Sequence, residues 1–219
     1  MMNDYRTVIE EGTGEIEVKK SRFLSVLCHV SSTDEAEEVL KNNKKKYYDA
    51  SHSCSAYILN SDAGVRHSSD DGEPSGTAGK PILDVLSGAG LSDSMIIVTR
   101  YFGGTLLGTG GLVRAYSAAA AKAIENAVVV DVKSAILTKF SLDYTLFPKL
   151  DHIAKENDID IASVEYLDVV NVSLLIGNRD EDRFYKELTE ATAGRVTQEA
   201  VKSRKECVYY MKDLSPVFL

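Results

Sequence analysis

The chain has 219 residues, 44% of them hydrophobic and 26% charged, which is the balance of a folded globular protein and excludes a disordered one. Its net charge is −8, with 13 basic against 17 acidic residues up to position 130 and 12 against 16 after it. A broadly basic module that grips naked nucleic acid is thereby excluded, so any phosphate contact needs a local patch.

No apolar run approaches the roughly 18 residues of a membrane helix. The acidic stretch Met1 to Val18 lacks the apolar centre of a signal peptide. Three widely spaced cysteines, Cys28, Cys54 and Cys207, suit a reducing cytoplasm better than a disulfide framework.

Short β-branched and aromatic stretches around Glu15–Val18 and Phe23–Val30 predict an opening pair of strands. Ser32 or Thr33 then caps a helix to about Lys45. Its acidic residues Asp34, Glu35, Glu37 and Glu38 come first and Lys44 to Lys46 last, which complements the helix dipole. Ser53–Leu59 alternates as a strand with Cys54, Ala56 and Ile58 on one face. Residues 61–80, rich in Ser, Asp and Gly, form a loop long enough to be either functional or disordered. Pro81 fits the first turn of a helix to about Ser87, which Gly88-Ala89-Gly90 ends. Met95–Tyr101 is a continuous apolar run and predicts a buried strand. Leu112–Asn126 predicts a helix, and its alanines 118–121 allow close approach to a sheet.

From Val132 the rhythm changes. A strand to Tyr144 is followed by a helix over Pro148–Asn157, then strands over Ile159–Tyr166 and Val169–Ile176. A helix over Asp180–Ala193 stops at Gly194, and a last strand falls within Val196–Tyr210. This β-α-β-β-α-β order is the split pattern of ferredoxin-like folds. The fold class expected is α+β in two domains, residues 1–130 and 131–219.

The strongest local motif is the segment from Arg100 to Arg114, in which Gly103, Gly104, Gly108, Gly110 and Gly111 separate a buried strand from a helix. Glycines let the backbone approach a ligand, and a helix start offers unpaired N–H groups with partial positive charge. With Arg100 and Arg114 at its two sides, the turn is a candidate site for phosphate or another anion. The alternative is a tight connection whose glycines only solve packing. A dinucleotide fingerprint is excluded, because counting from Gly108 and Gly110 places Val113 where a glycine or alanine belongs. A P-loop is excluded at Gly76–Lys80, because Pro74 stands at the first glycine and Pro81 at the Ser/Thr.

Asp70, Asp71 and Glu73 put three carboxylates in four residues. They could hold a hard cation, yet they lack the alternating spacing of a calcium loop and read more simply as a solvated acidic loop. Asp70 and Glu73 could instead pair with Arg100 or Arg114 and shape the same cleft. His52 and Cys54 share one face of a strand and could be a base with its nucleophile or two metal ligands; ordinary sheets hold such pairs too. Lys19-Lys20-Ser21-Arg22-Phe23 and Lys44-Lys45-Lys46-Tyr47-Tyr48 combine charge with aromatics, as RNA contacts do, although the second also makes a favourable helix end.

Four segments together carry a family resemblance: Lys-Ser-Arg-Phe (20–23), His-Ser-Cys-Ser-Ala-Tyr (52–57), the acidic and glycine-rich run at 70–81, and the run from Val98 to Tyr116. They resemble, in order, the motifs of the Impact/YigZ family over residues 15–127, and the remainder resembles the small C-terminal domain of its bacterial members. The resemblance implies a first domain like the second domain of ribosomal protein S-five and a ferredoxin-like second domain. The pair is similar to adjacent domains of translation elongation factor G. It also implies a link to translation, since eukaryotic members restrain the amino-acid-starvation kinase pathway by competing for the kinase's activator.

The function expected is a non-catalytic cytoplasmic regulator that binds the ribosome or structured RNA, with a regulatory protein as a further possible partner. It calls for neither cofactor nor metal, and no membrane. Arg22, Lys80, Arg100 and Arg114 would take phosphate, with Gly103, Gly104, Gly108, Gly110 and Gly111 supplying backbone donors. The alternative is an enzyme for a small anionic substrate in a cleft between the 61–80 loop and the glycine turn, with Asp70, Asp71 or Glu73 as acid, base or metal ligand. A protein-interaction module is a third reading and predicts an exposed apolar patch.

Overall fold

A computed structural model describes residues 4–60, 64–177, 180–196, 201–210 and 216–218. The chain divides into two compact units, one over Tyr5–Val130 and the other over Asp131–Leu219 together with Asp4. Residues 61–63 of the expected long loop and residues 197–200 ahead of the last strand lie outside the described residues.

The first unit is an antiparallel sheet of order β2-β3-β6-β4-β5. Its strands are β2 (Gly12–Val18), β3 (Ser21–His29), β4 (His52–Ile58), β5 (Arg66–Ser69) and β6 (Ser94–Tyr101). An earlier strand, β1 (Tyr5–Glu10), adds Val8 to the core. Helices α2 (Gly79–Gly88) and α3 (Thr109–Glu125) cover one face, where Phe23, Leu27, Cys54, Ala56, Ile96 and Val98 meet Ile82, Leu86 and the alanine stripe of α3. Helix α1 (Thr33–Lys46) belongs to the other face, with Ala36, Val39 and Leu40 packed among Cys28, Tyr57, Met95 and Ile97. Covered on both sides, β6 has no polar alternation, which is why it reads as a continuous apolar run.

Helix α1 starts where its sequence says. The Ser32 hydroxyl accepts the Glu35 N–H at 3.2 Å, and the Glu35 carboxylate reaches back to the Ser31 N–H at 2.7 Å. The first bond satisfies an orphan donor of the helix start, and the second ties down the residue before the cap.

The second unit contains β7 (Val128–Leu142), α4 (Phe147–Glu156), β8 (Asp160–Tyr166), β9 (Val170–Ile176), α5 (Glu181–Ala191), β10 (Val201–Tyr210) and β11 (Pro216–Phe218). Its sheet runs β11-β10-β7-β9-β8 with every pair antiparallel. Leaving aside the terminal β11, this is the fourth-first-third-second order of a ferredoxin-like fold, so the expected α+β class holds in both units. Leu150, Ile153 and Ala154 of α4 and Phe184, Tyr185 and Leu188 of α5 pack against Phe140, Val172 and Leu174 of the sheet.

Truncating Phe184, a fully buried ring 6.4 Å from Phe140, removes a central part of that layer. Phe184→Ala should lower stability by about 3–5 kcal/mol in urea denaturation. A loss below about 1 kcal/mol would mean that α5 does not depend on this contact.

Candidate functional site

The acidic segment after β5 folds back onto its own unit. Asp70 sends one carboxylate oxygen to the N–H groups of Ala78 (2.9 Å) and Gly79 (2.8 Å), and the other to Gly76 N–H (2.8 Å). A side chain nine residues upstream thus fills the N-terminus of α2, the place where an anion would bind. Burial of Asp70 opposes its charged form, but the three backbone donors outweigh it and hold the carboxyl below its ordinary value. Asp71 accepts the Ser53 N–H at 2.6 Å and pairs with Lys44 at 2.5 Å.

Glu73 goes inward. It is 8% exposed and meets Arg100, itself 5% exposed, at 2.6 Å. The Tyr116 hydroxyl donates to the same carboxylate oxygen at 2.7 Å. On the far side of the guanidinium, Arg100 Nη2 lies 3.4 Å from the buried Ser21 hydroxyl, which also accepts Gly103 N–H at 3.1 Å. The guanidinium stands 5.5 Å from the centres of both the Phe23 and Phe102 rings. Cys54 completes the network, its thiol donating to the Asp70 carbonyl at 2.9 Å and lying 3.4 Å from the Tyr116 hydroxyl.

Burial pushes the Cys54 thiol up to about 12 and raises the Tyr116 phenol well beyond its ordinary value. A thiol held protonated in this way is not a nucleophile at neutral pH. His52 and Cys54 do share a face, but each bonds to a different backbone carbonyl, His52 Nδ1 to that of Asp71 at 2.8 Å, and not to the other.

The expected anion-binding residues therefore separate. Arg100 is not on an open face; its strand position places it beside Val98 and Ile96 on the inward side, where Glu73 neutralises it. Lys80 is exposed and pairs with Asp84 one helical turn on, and Arg22 is exposed and pairs with Glu15 at 2.9 Å. Arg114 is exposed on the first turns of α3 with no ion pair among the described residues.

Around Arg114 the surface stays open. Gly108 caps α3 with φ 71°, a backbone state costly for other residues, and neither a side-chain cap nor an acidic residue fills that helix start. Gly104 and Gly110 are exposed, as Gly108 is, and Gly103 and Gly111 are partly so. Gly103 is needed for approach: a Cβ there would lie 2.0 Å from the Lys20 carbonyl carbon. That contact brings the two-residue β2–β3 turn, Lys19-Lys20, against the glycine turn. Both lysines have positive φ (47° and 66°), as this kind of hairpin requires, although glycine and asparagine are favoured there. A shallow pocket of about 330 Å³ joins Lys19, Arg114, Leu107, Ile16 and Val18. Phe102 and Leu106 stand exposed on the same turn, Leu106 by 82%.

Ser21 and Tyr116 lie inside the quoted motifs, yet nothing in the sequence marks their part in the network; Lys19 and Lys20 belong to the basic run expected to suit RNA. The lysines were visible as a basic run; what was missing was the Gly103 contact that carries them to the turn.

This architecture defines a two-unit α+β protein whose most distinctive motifs hold the first unit together and expose one glycine turn. The Impact N-terminal domain matches residues 19–124, and a domain of unknown function (DUF1949) matches residues 140–195. The IMPACT family member YvyE of Bacillus subtilis is 37% identical over 195 residues, 89% of this chain and 90% of that one. The IMPACT family member YigZ of Escherichia coli is 31% identical over 200 residues, 90% and 94% of the two chains. A crystal structure of a hypothetical protein is similar at 29% identity and a TM-score of 0.58, covering 89% of this chain and 96% of that one. The chain belongs to the IMPACT family.

Two measurements check the network. Glu73→Gln leaves the buried Arg100 charge without its partner and should cost about 3–5 kcal/mol in chemical denaturation. The lowered Asp70 titration adds stability that is present above the unfolded-state value of about 3.9 and is lost as pH falls through the folded value. Acid unfolding should therefore be less steep below about pH 4 in Asp70→Asn than in the wild type; identical acid limbs would show that the three N–H bonds do not hold Asp70 ionised.

Proposed function

We propose that the chain is a non-catalytic, translation-linked regulatory factor of the cytoplasm that docks on the ribosome or on structured RNA through its glycine-turn face. The observation that carries this reading is the contrast between two helix starts in one unit. The start of α2 is closed by the protein's own carboxylate, Asp70. At the start of α3, behind the Gly108 cap, no side chain takes the N–H groups among the described residues, and Arg114 and the Lys19-Lys20 turn lie beside it. Exposed N–H donors with nearby cations suit phosphate oxygens, and the patch is local enough to coexist with a net charge of −8. Family membership supports the translational setting that the sequence resemblance implies.

The enzyme alternative draws little support from the same geometry. Asp70, Asp71 and Glu73 are each engaged by backbone donors or a cation. No group of three or more metal-ligating side chains occurs among the described residues. No helix there is long and apolar enough to cross a membrane. A protein-docking reading has one specific observation in its favour, the exposed Leu106 and Phe102 on the same turn.

Co-sedimentation with ribosomes over a salt series decides between these readings. Wild type should pellet at low salt and dissociate as salt rises, and Arg114→Glu should shift that loss to lower salt. Retention by Arg114→Glu together with loss in Leu106→Asp would identify a protein contact instead. A wild type that stays in the supernatant at the lowest salt overturns ribosome docking.

A further inference from the structure

The second unit carries a surface of the opposite character. Among the described residues seven large hydrophobic side chains are exposed, and three of them, Tyr144, Tyr166 and Leu167, gather at one end of its sheet. Register explains the gathering. Leu142 at the end of β7 pairs with Val170 of β9, which pairs on its other side with Tyr166 of β8. The β7–α4 connection and the β8–β9 turn therefore emerge side by side.

The rings form a built ledge. Tyr144 and Tyr166 stack with centres 6.1 Å apart and 28° between planes, and Phe147 meets Tyr166 edge-on at 5.9 Å. The Tyr144 hydroxyl donates to the Leu167 carbonyl at 2.6 Å, tying the two loops together. Tyr144 and Tyr166 are nevertheless 51% and 59% exposed. The hydrogen bond and the stacking hold these faces in position before any partner arrives, which lowers the ordering cost of binding.

The charges bordering the rings are all negative. Asp143 precedes Tyr144 and Asp168 follows Leu167; both are exposed, and neither makes an ion pair among the described residues, whereas Glu165 precedes Tyr166 within β8 and so faces the other side of the sheet. The nearby Lys149 is turned to the Ala191 carbonyl at 2.8 Å. Phosphate-bearing partners are repelled by such a surface, and a neutral apolar peptide would leave its carboxylates unanswered. One chemistry satisfies both features: a guanidinium lies flat on an aromatic face while its N–H fork takes a carboxylate.

We propose that the Tyr144–Tyr166 ledge is a docking surface for an arginine-bearing, basic segment of a protein partner. The ring faces receive the guanidinium planes, Asp143 and Asp168 receive their N–H groups, and Leu167 covers the aliphatic stem. The surface is separate from the glycine turn and does not depend on the reading given to that turn.

The test is fluorescence anisotropy with a labelled Arg-Gly repeat peptide, a Lys-Gly peptide of equal length and a single-stranded RNA oligomer of that length. The full chain should bind the arginine peptide more tightly than the lysine peptide, and Tyr166→Ser should weaken the arginine peptide by about tenfold or more. Asp143→Asn/Asp168→Asn should weaken it as well, and amide shifts on binding should centre on residues 143–149 and 164–169. Tyr166→Leu, which keeps an apolar group, serves if Tyr166→Ser lowers the melting temperature, and should lose the arginine preference while staying folded. Equal binding of the two peptides, unchanged by Tyr166→Ser or Tyr166→Leu, would reduce the effect to diffuse attraction by an acidic chain and overturn the proposal. So would RNA binding at this ledge, or shifts centred elsewhere.

Discussion

The first unit depends on the ion pair between Arg100 and Glu73. A guanidinium and a carboxylate, their side chains 6% and 3% exposed, sit inside an apolar core. Each charge taken from water costs several kcal/mol, and their attraction offsets this only when the remaining polar atoms also find partners. Tyr116 and Ser21 supply two of those partners, from α3 and from the first residue of β3, while Arg100 Nε is buried without one. The pair is therefore better understood as fixing one arrangement than as adding net stability. The acidic segment after β5, the end of β6, the start of β3 and α3 all meet there, and a displacement of any one leaves a buried charge unpaired.

That constraint decides which surfaces of the unit remain available. Because Glu73 must point inward, Asp70 and Asp71, the adjacent residues just before it, become staples, one filling the start of α2 and the other holding the Ser53 amide and Lys44. Carboxylates that look like a cation site in sequence are thus committed to N–H donors and cations of the same chain. Because Arg100 must also point inward, the chain after Tyr101 leaves the core through Gly103, pressed on Lys20, and the glycine turn is carried outward. What reaches the surface is Arg114, the two hairpin lysines and the exposed Phe102 and Leu106. The interior and exterior roles of one glycine-rich motif are two consequences of the same pair.

The α+β class, the ferredoxin-like order and most elements were legible in the sequence, because periodicity and caps act locally. The Ser32 cap with Glu35 is a case in point. Strands β1 and β5 were not legible: Arg66-His67-Ser68-Ser69 has no apolar alternation, and β5 exists because its backbone pairs with β4. Helix α3 begins three residues before Leu112, since the cap geometry of Gly108 overrides the poor helix propensity of Gly110 and Gly111. The role of Arg100 was hidden by the same burial that made β6 visible. A strand covered on both faces shows no alternation, so nothing local marks which way its last charged residue turns. Pairing Glu73 with Arg100 or Arg114 could be considered from composition, but choosing between them required the parity of β6.

The two units end with surfaces of opposite chemistry. The glycine turn of the first gathers lysines and an arginine about a helix start without a side-chain cap, whereas the ledge of the second sets tyrosines among aspartates. Each repels what the other attracts, so a single uniform partner, whether bare nucleic acid or a basic protein, would engage one and be resisted by the other. The net charge of −8 fits that division, since it disfavours indiscriminate adhesion to nucleic acid and confines any phosphate affinity to a local patch.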